Sequence, residues 1–249
     1  MTVDEAIQKA NAGDVDTMVI LGDYYGQNKD LDNALIWYRK AAEQGNLNAV
    51  HRTFLLDGMT LHSSVIVNPD EEDDEIFREI SHYAEILKKY TNVDIEPDFT
   101  GCKYAYAESL YCREKYSALL SFVQDEDQPS FVILYALALF GIAPNLSSRD
   151  ETSRYYEAAC DVVQSVIKSS YIPENQHHEQ LFFAKAISIY ASIVRIGLSA
   201  SADIDASYHI LTEQIEKLTD EDAKSLLSDE LSHYHVKKGF FGTSITYVD

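Results

Sequence analysis

Proline is scarce in this sequence, with five residues in 249, and glycine is little commoner at ten. So few element breakers argue against a many-turned β-sandwich or barrel and favour helices. Cysteine is scarcer still. Cys102, Cys112 and Cys160 are an odd number without close spacing, which argues against a disulfide framework and fits a reducing compartment. Positive charge is deficient: 20 Lys and Arg face 41 Asp and Glu, a formal net charge of −21. Affinity for a phosphate backbone comes mainly from Lys and Arg, so no nucleic acid is expected as a partner, and no anionic membrane surface. The acidic start Met1-Thr-Val-Asp-Glu-Ala lacks the basic, apolar pattern of a secretory leader. The longest strongly apolar run, 131–142, has 12 residues, too few to span a bilayer and suited to a buried helix. These absences make the cytoplasm the expected location.

Recognisable catalytic patterns are missing too. There is no phosphate-cradling glycine loop, no Gly-x-Ser-x-Gly and no His-Glu-x-x-His. The close histidine groups, His177-His178-Glu179 and His233-x-His235, do not put two imidazoles on one helical face. We therefore expect no metal and no cofactor. Cys102 and Cys112 lack a second pair at zinc spacing and read as small buried hydrophobes.

What the chain does have is an organised stretch at 11–45. After the turn Gly13-Asp14, a helix is expected over about 15–25, with Met18, Leu21, Gly22 and Tyr25 at i, i+3, i+4, i+7 on one face. Gly22 leaves room on that face for a close neighbour. Gln27-Asn28-Lys29-Asp30 is a polar turn, and a second helix is expected over 31–44. Asp30 or Asp32 would cap it, and Gly45 would take the left-handed position past its end. Ala34, Trp37, Tyr38, Ala41 and Ala42 form its stripe, alternating small and large. Shifted by 32 residues, Gly13-Asp-Val-Asp-Thr-Met lies over Gly45-Asn-Leu-Asn-Ala-Val, Gly26 over Gly58, and residues 5–12 over 37–44. A repeating helix pair of this length signals a solenoid, because one pair cannot bury its own apolar face.

Leu21-Gly22-x-x-Tyr25 followed by Ala34-x-x-Trp37-Tyr38-x-Lys40-Ala41-Ala42-x-x-Gly45 resembles a Sel1-like repeat, a relative of the tetratricopeptide repeat. The ending Trp37-Tyr-Arg-Lys-Ala-Ala-Glu-Gln-Gly-Asn46 is the Sel1-like part. The longer Gly-x-Gly-Val loop usual between Sel1-like helices is absent, and the spacing from Gly22 to Ala34, Tyr38 and Ala41 is tetratricopeptide-like, although no proline follows. The resemblance covers about residues 10–58. It implies an all-α, right-handed superhelical solenoid of about five helix pairs. It also implies a non-enzymatic interaction scaffold or adaptor whose protein or peptide partner lies in the concave groove of the first helices. Carried over by position, Asp16, Val19 and Asp23 face that groove, and the 32-residue shift adds Asn48, His51 and Leu55. The acidic balance favours a basic partner.

Beyond Gly58 the repeat is expected to be interrupted. Asp70-Glu-Glu-Asp-Asp-Glu75 reads as a solvated loop opening a helix to about 90, or else as a basic-partner contact, and 91–99 is the best candidate boundary. Residues 1–97 thus hold the repeats with their capping helix and acidic insertion, and 98–249 a divergent helical half. Helices are expected over 100–112, 114–124, 130–140, 148–169, 174–196 and 203–218, with Ser199-Ala-Ser201 as a turn. A last helix, 220–238, is stopped by Lys237-Lys238-Gly239. The apolar tail 240–249 is expected to fold back on the last helices, or else to form a short strand or dock on another copy. The alternatives to a scaffold are an enzyme using Glu108, Glu114, Glu157 or His178 in the divergent half, and a homo-oligomer assembled through the tail.

Overall fold

Three turns near the N-terminus are built alike. Helices α1 (Val3–Asn11), α2 (Val15–Gln27) and α3 (Leu31–Glu43) are each followed by a residue with positive φ: Gly13 at 95°, Lys29 at 62° and Gly45 at 84°. The next residue then caps the following helix. Asp14 accepts from the Thr17 amide, Asp30 from the Asn33 amide, and Asn46 from the Ala49 amide at the start of α4 (Leu47–Val67). In each turn the cap's own amide reaches back to a carbonyl of the finished helix: Lys9, Tyr25 and Ala41. Orphan groups of both helices are satisfied within a few residues, so the connections stay short. The three caps recur at a constant interval of sixteen residues.

The computed structural model describes residues 1–173, 177–198, 203–239 and 242–247. The described chain is all-α apart from a C-terminal hairpin, with twelve α-helices and one 3₁₀ turn. It divides into two compact units, Met1–Arg113 and Glu114–Asp249. The division expected at 97/98 falls inside α6 (Glu96–Cys112), where Pro97 occupies the first turn.

In the first unit each helix packs on its successor, and α4 also packs on α6. One core gathers Ala6, Met18, Leu21, Trp37, Tyr38 and Ala49 from α1–α4. A second gathers Phe54, Leu61, Ile80, Leu87 and Cys102 from α4, α5 (Glu72–Tyr90) and α6. The helix α4 therefore serves both cores. Gly22 does what its place on the stripe requires: a Cβ there would meet the Tyr38 ring at 2.5 Å. Gly58, by contrast, does not end an element. The chain continues as one 21-residue helix through 61–67, and Gly58 sits in its middle, where a Cβ would lie 2.9 Å from Cys102 Sγ.

In the second unit the apolar run forms α8 (Pro129–Ile142), with Phe131, Ile133, Leu134 and Ala136–Phe140 all buried. It packs on α7 (Tyr116–Val123), α9 (Arg149–Lys168) and α10 (His177–Arg195), and α10 packs in turn on α11 (Ile204–Lys217) and α12 (Glu221–Leu231). Gln180, buried in α10, fixes the α11–α12 corner. Its Oε1 accepts from the Thr219 and Asp220 amides, and its Nε2 donates to Thr219 Oγ1. The expected helix over 220–238 stops at Leu231. Residues 234–239 instead form β1 (Tyr234–Gly239), paired antiparallel with β2 (Gly242–Tyr247) in register Tyr234↔Tyr247. Tyr234 anchors the hairpin: it is buried, and its hydroxyl lies 2.8 Å from Ser207 Oγ and donates to the Ala191 carbonyl. Contact between β2 and α11 returns part of the tail to the helices. Residues 240, 241, 248 and 249 of that tail, the 199–201 turn and the expected helix start at 174 lie outside the described residues.

Candidate functional site

Two cavities open along α4 in the first unit. The first, of about 400 Å³, lies where α2 and α3 meet α4; Asp23, Gln27 and Leu31 form one side, and Arg52, Leu55 and Met59 the other. The second, of about 250 Å³, lies where α4 meets the start of α6, with His62, Asp98 and Cys102 among its walls. Leu55 and Met59 line both cavities. They stand one helical turn apart, so they form a shared ridge between two depressions. Met59 on the ridge is 56% exposed and Leu31 across the first cavity 44% exposed, so apolar surface around this cavity remains open to solvent.

The first cavity is framed by a polar contact. The Tyr38 hydroxyl donates to Asp23 Oδ1 at 2.6 Å, and burial, with the carboxylate beside it, pushes the phenol up to about 12. Tyr38 is therefore a neutral donor at any physiological pH, and Asp23 an acceptor held in place. Arg52 is exposed on the α4 wall. In the second cavity burial pushes the Cys102 thiol up to about 11, with Asp98 and Asp57 adding to the effect. That thiol is neutral and weakly nucleophilic.

Behind the ridge α4 is fixed by a buried ionic group. Asp57 is 1% exposed, and its Oδ1 accepts from Arg39 Nη2 at 2.9 Å. The same guanidinium nitrogen reaches Glu79 on α5 at 2.5 Å. Burial pushes the Asp57 carboxyl up to about 6; Arg39 opposes the rise and Glu79 adds to it. A second group ties α5 to α6. Asp73, fully buried, accepts from Ser109 Oγ at 2.5 Å, while Asp74 accepts from the Tyr106 hydroxyl and from Arg113. The acidic run 70–75 is thus not a solvated loop throughout. Asp73 and Asp74 face partners on α6 and beyond, Asp70 accepts from the Glu72 amide, and α5 begins within the run.

Of the six groove residues expected from sequence, Asp23 and Leu55 come together across the first cavity. Asp16 and Asn48 are exposed, Val19 is half-buried against the first core, and His51 is half-buried. These four are not among the residues lining the two cavities. Sequence reasoning missed Arg52, Met59, His62 and Asp98. The signal for the first three was available: with Leu55 they lie at three- and four-residue steps, one face of a helix that does not stop at Gly58. Asp98, on a different helix, had no such signal.

No family model, curated protein or solved structure matches the chain.

The second unit offers weaker geometry. Glu114, with Lys115, Tyr116 and Asn145, lines an open cavity of about 460 Å³. Burial pushes the Cys160 thiol up to about 12 and holds His178 below its usual value. Near the N-termini of α10 and α12, His177 Nδ1 lies 2.6 Å from Asp220 Oδ2, and ligand atoms of His177, Asp220 and Asp222 all fall within 4.8 Å of one another. Their first role is local. The hydrogen bond raises the His177 pKa and lowers that of Asp220, which also caps α12 through the Ala223 amide. No helix among the described residues is long and apolar enough to cross a membrane.

Proposed function

We propose that this protein is a non-enzymatic interaction scaffold that docks a protein or peptide along α4. The observation that carries the reading is the ridge: Leu55 and Met59 separate two cavities and belong to both. Concave, mostly apolar depressions with a few fixed polar groups are the usual form of a recognition site. In this reading α2, α4 and α6 are the first helices of successive Sel1-like or tetratricopeptide-like pairs, and they present the concave face of a right-handed solenoid of about five pairs. Three turns of one design at a sixteen-residue interval support the repeat, because a thirty-two-residue unit is two such steps. The cytoplasm suits a protein whose three cysteines lack the pattern of a disulfide framework and whose net charge is strongly negative.

The test is capture of partners from cytosol by the full chain and by Leu55→Glu and Met59→Glu, with folding checked by circular dichroism. Each variant puts a charge on the ridge; Met59 is exposed, whereas Leu55 also packs against the second core, so Met59→Glu is the cleaner of the two. A captured set that both folded variants retain in full would show that docking does not use this groove.

A further inference from the structure

The two cavities share a design that narrows the partner, granted the docking reading above. Each sets an apolar wall, the Leu55–Met59 ridge, beside a carboxylate: Asp23 in the first and Asp98 in the second. A Lys or Arg side chain matches both parts, since its methylene stem lies on apolar surface and its charged head seeks an anion. The wider field has the same sign. Residues 1–113 contain 21 acidic and 10 basic side chains, which steers cations towards this unit. Methionine at the ridge adapts to stems of differing length.

The spacing of the cavities sets the spacing of the side chains. Asp23 stands on α2 and Asp98 on α6, either side of the ridge that α4 puts between the cavities, and a helix with its side chains is about 10 Å across. An extended chain rises about 3.3 Å per residue, so three residues cover that distance. We propose that the groove takes an extended segment with two basic residues three apart, Lys or Arg at each, one head at Asp23 and the other at Asp98. Arg52 limits the motif. It lies on the α4 wall of the first cavity and repels additional positive charge, so a pair of basic residues is preferred over a polybasic run.

Fluorescence anisotropy of the full chain with three labelled peptides tests this. One carries Arg-Ala-Ala-Arg between neutral flanks, one the same residues with the arginines adjacent, and one glutamate for arginine. The spaced peptide binds at least about fivefold tighter than its isomer of equal charge. Asp23→Asn and Asp98→Asn each remove about fivefold, the scale of one partly exposed ion pair, and Arg52→Ala narrows the gap between spaced and adjacent peptides. Equal binding of the two arginine isomers, preference for the glutamate peptide, or indifference to both Asp substitutions would overturn the motif. If none of the three binds while Leu55→Glu still abolishes capture of a cytosolic partner, the dibasic motif is wrong and the groove stands. If Leu55→Glu and Met59→Glu leave capture intact as well, both fall.

Discussion

Asp57 is an ionisable group buried in a helix that serves two cores, and Asp57→Asn measures its cost. Its carboxyl is raised to about 6 in the folded protein, against about 3.9 in an unfolded chain. A gap of about two units is worth about 3 kcal/mol at 1.36 kcal/mol per unit. The sign follows from proton counting. Between about pH 4 and pH 6 the folded state holds a proton that the unfolded state has released, so this group's contribution falls as pH rises through that window and stays at its low value above it. Asparagine keeps an oxygen for Arg39 and removes the titration. It also places an amide donor where Asp57 Oδ2 has no hydrogen-bond partner, which offsets part of the gain at neutral pH.

The free-energy difference between variant and wild type isolates Asp57, because the other carboxylates cancel. The variant is more stable relative to wild type at pH 7.5 than at pH 4, and the change across that range is about 2 kcal/mol, the rest falling below pH 4 where the unfolded carboxyl is still partly protonated. Urea unfolding at several pH values measures it. The single tryptophan, Trp37, lies buried in α3 of the same unit, two residues before Arg39, so its fluorescence follows the right transition. A pH-independent difference, or one of opposite sign, would show that Asp57 is not a desolvated carboxyl and that Arg39 holds it as an ordinary ion pair.

Three further outcomes follow from packing. Gly22→Ala drives a methyl group into the Tyr38 ring; overpacking costs about 1–3 kcal/mol, and a gain in helix propensity of about 1 kcal/mol offsets only part of it, so urea unfolding followed by Trp37 shows a net loss. Asp73→Ala leaves Ser109 without its acceptor inside the α5–α6 contact and costs about 1–3 kcal/mol, whereas Glu72→Ala, on the exposed side of the same run, stays within about 0.5 kcal/mol; equal effects would return the run to a solvated loop. Cys112, exposed, reacts with a thiol reagent at pH 8 in the native protein, while Cys102 and Cys160, buried and raised to about 11 and about 12, react only on unfolding, as mass spectrometry of labelled peptides will show.

The N-terminal helices were legible because their boundaries are local chemistry. Asp30 caps α3 and Gly45 takes positive φ after it because those residue types suit those positions whatever surrounds them. Tertiary features were less legible. Gly58 aligns with Gly26 and marks where the repeat is interrupted, and it lies mid-helix where a Cβ would meet Cys102; nothing near Gly58 in sequence encodes Cys102. Asp73 could not be told from its acidic neighbours, since its burial depends on Ser109, thirty-six residues on. The C-terminal error was one of period. Lys237-Lys238-Gly239 resembles a helix stop, but the β-branched residues and glycines after 233 carry a strand pattern, with Tyr234 buried and His235 exposed. In the groove, Asp23 and Leu55 came from a repeat alignment. Met59 and His62 were lost with the helix turns that the alignment cut off.

On the docking reading proposed above, α4 is both a structural and a recognition element. Its residues divide by face. Val50, Phe54, Asp57, Leu61 and Val65 are buried, and Asp57 is held by Arg39. Arg52, Leu55, Met59 and His62 stand on the other side, among the cavity walls. A helix that ended at Gly58 would lack Met59 and His62, two of the walls of the second cavity. Its continuation past Gly58 adds Met59, which both cavities share, and His62, which closes the second. Positions on rigid helices hold recognition geometry more tightly than loops do. On that reading, spacing between two anchors, rather than depth of either cavity, is the property that would discriminate between partners.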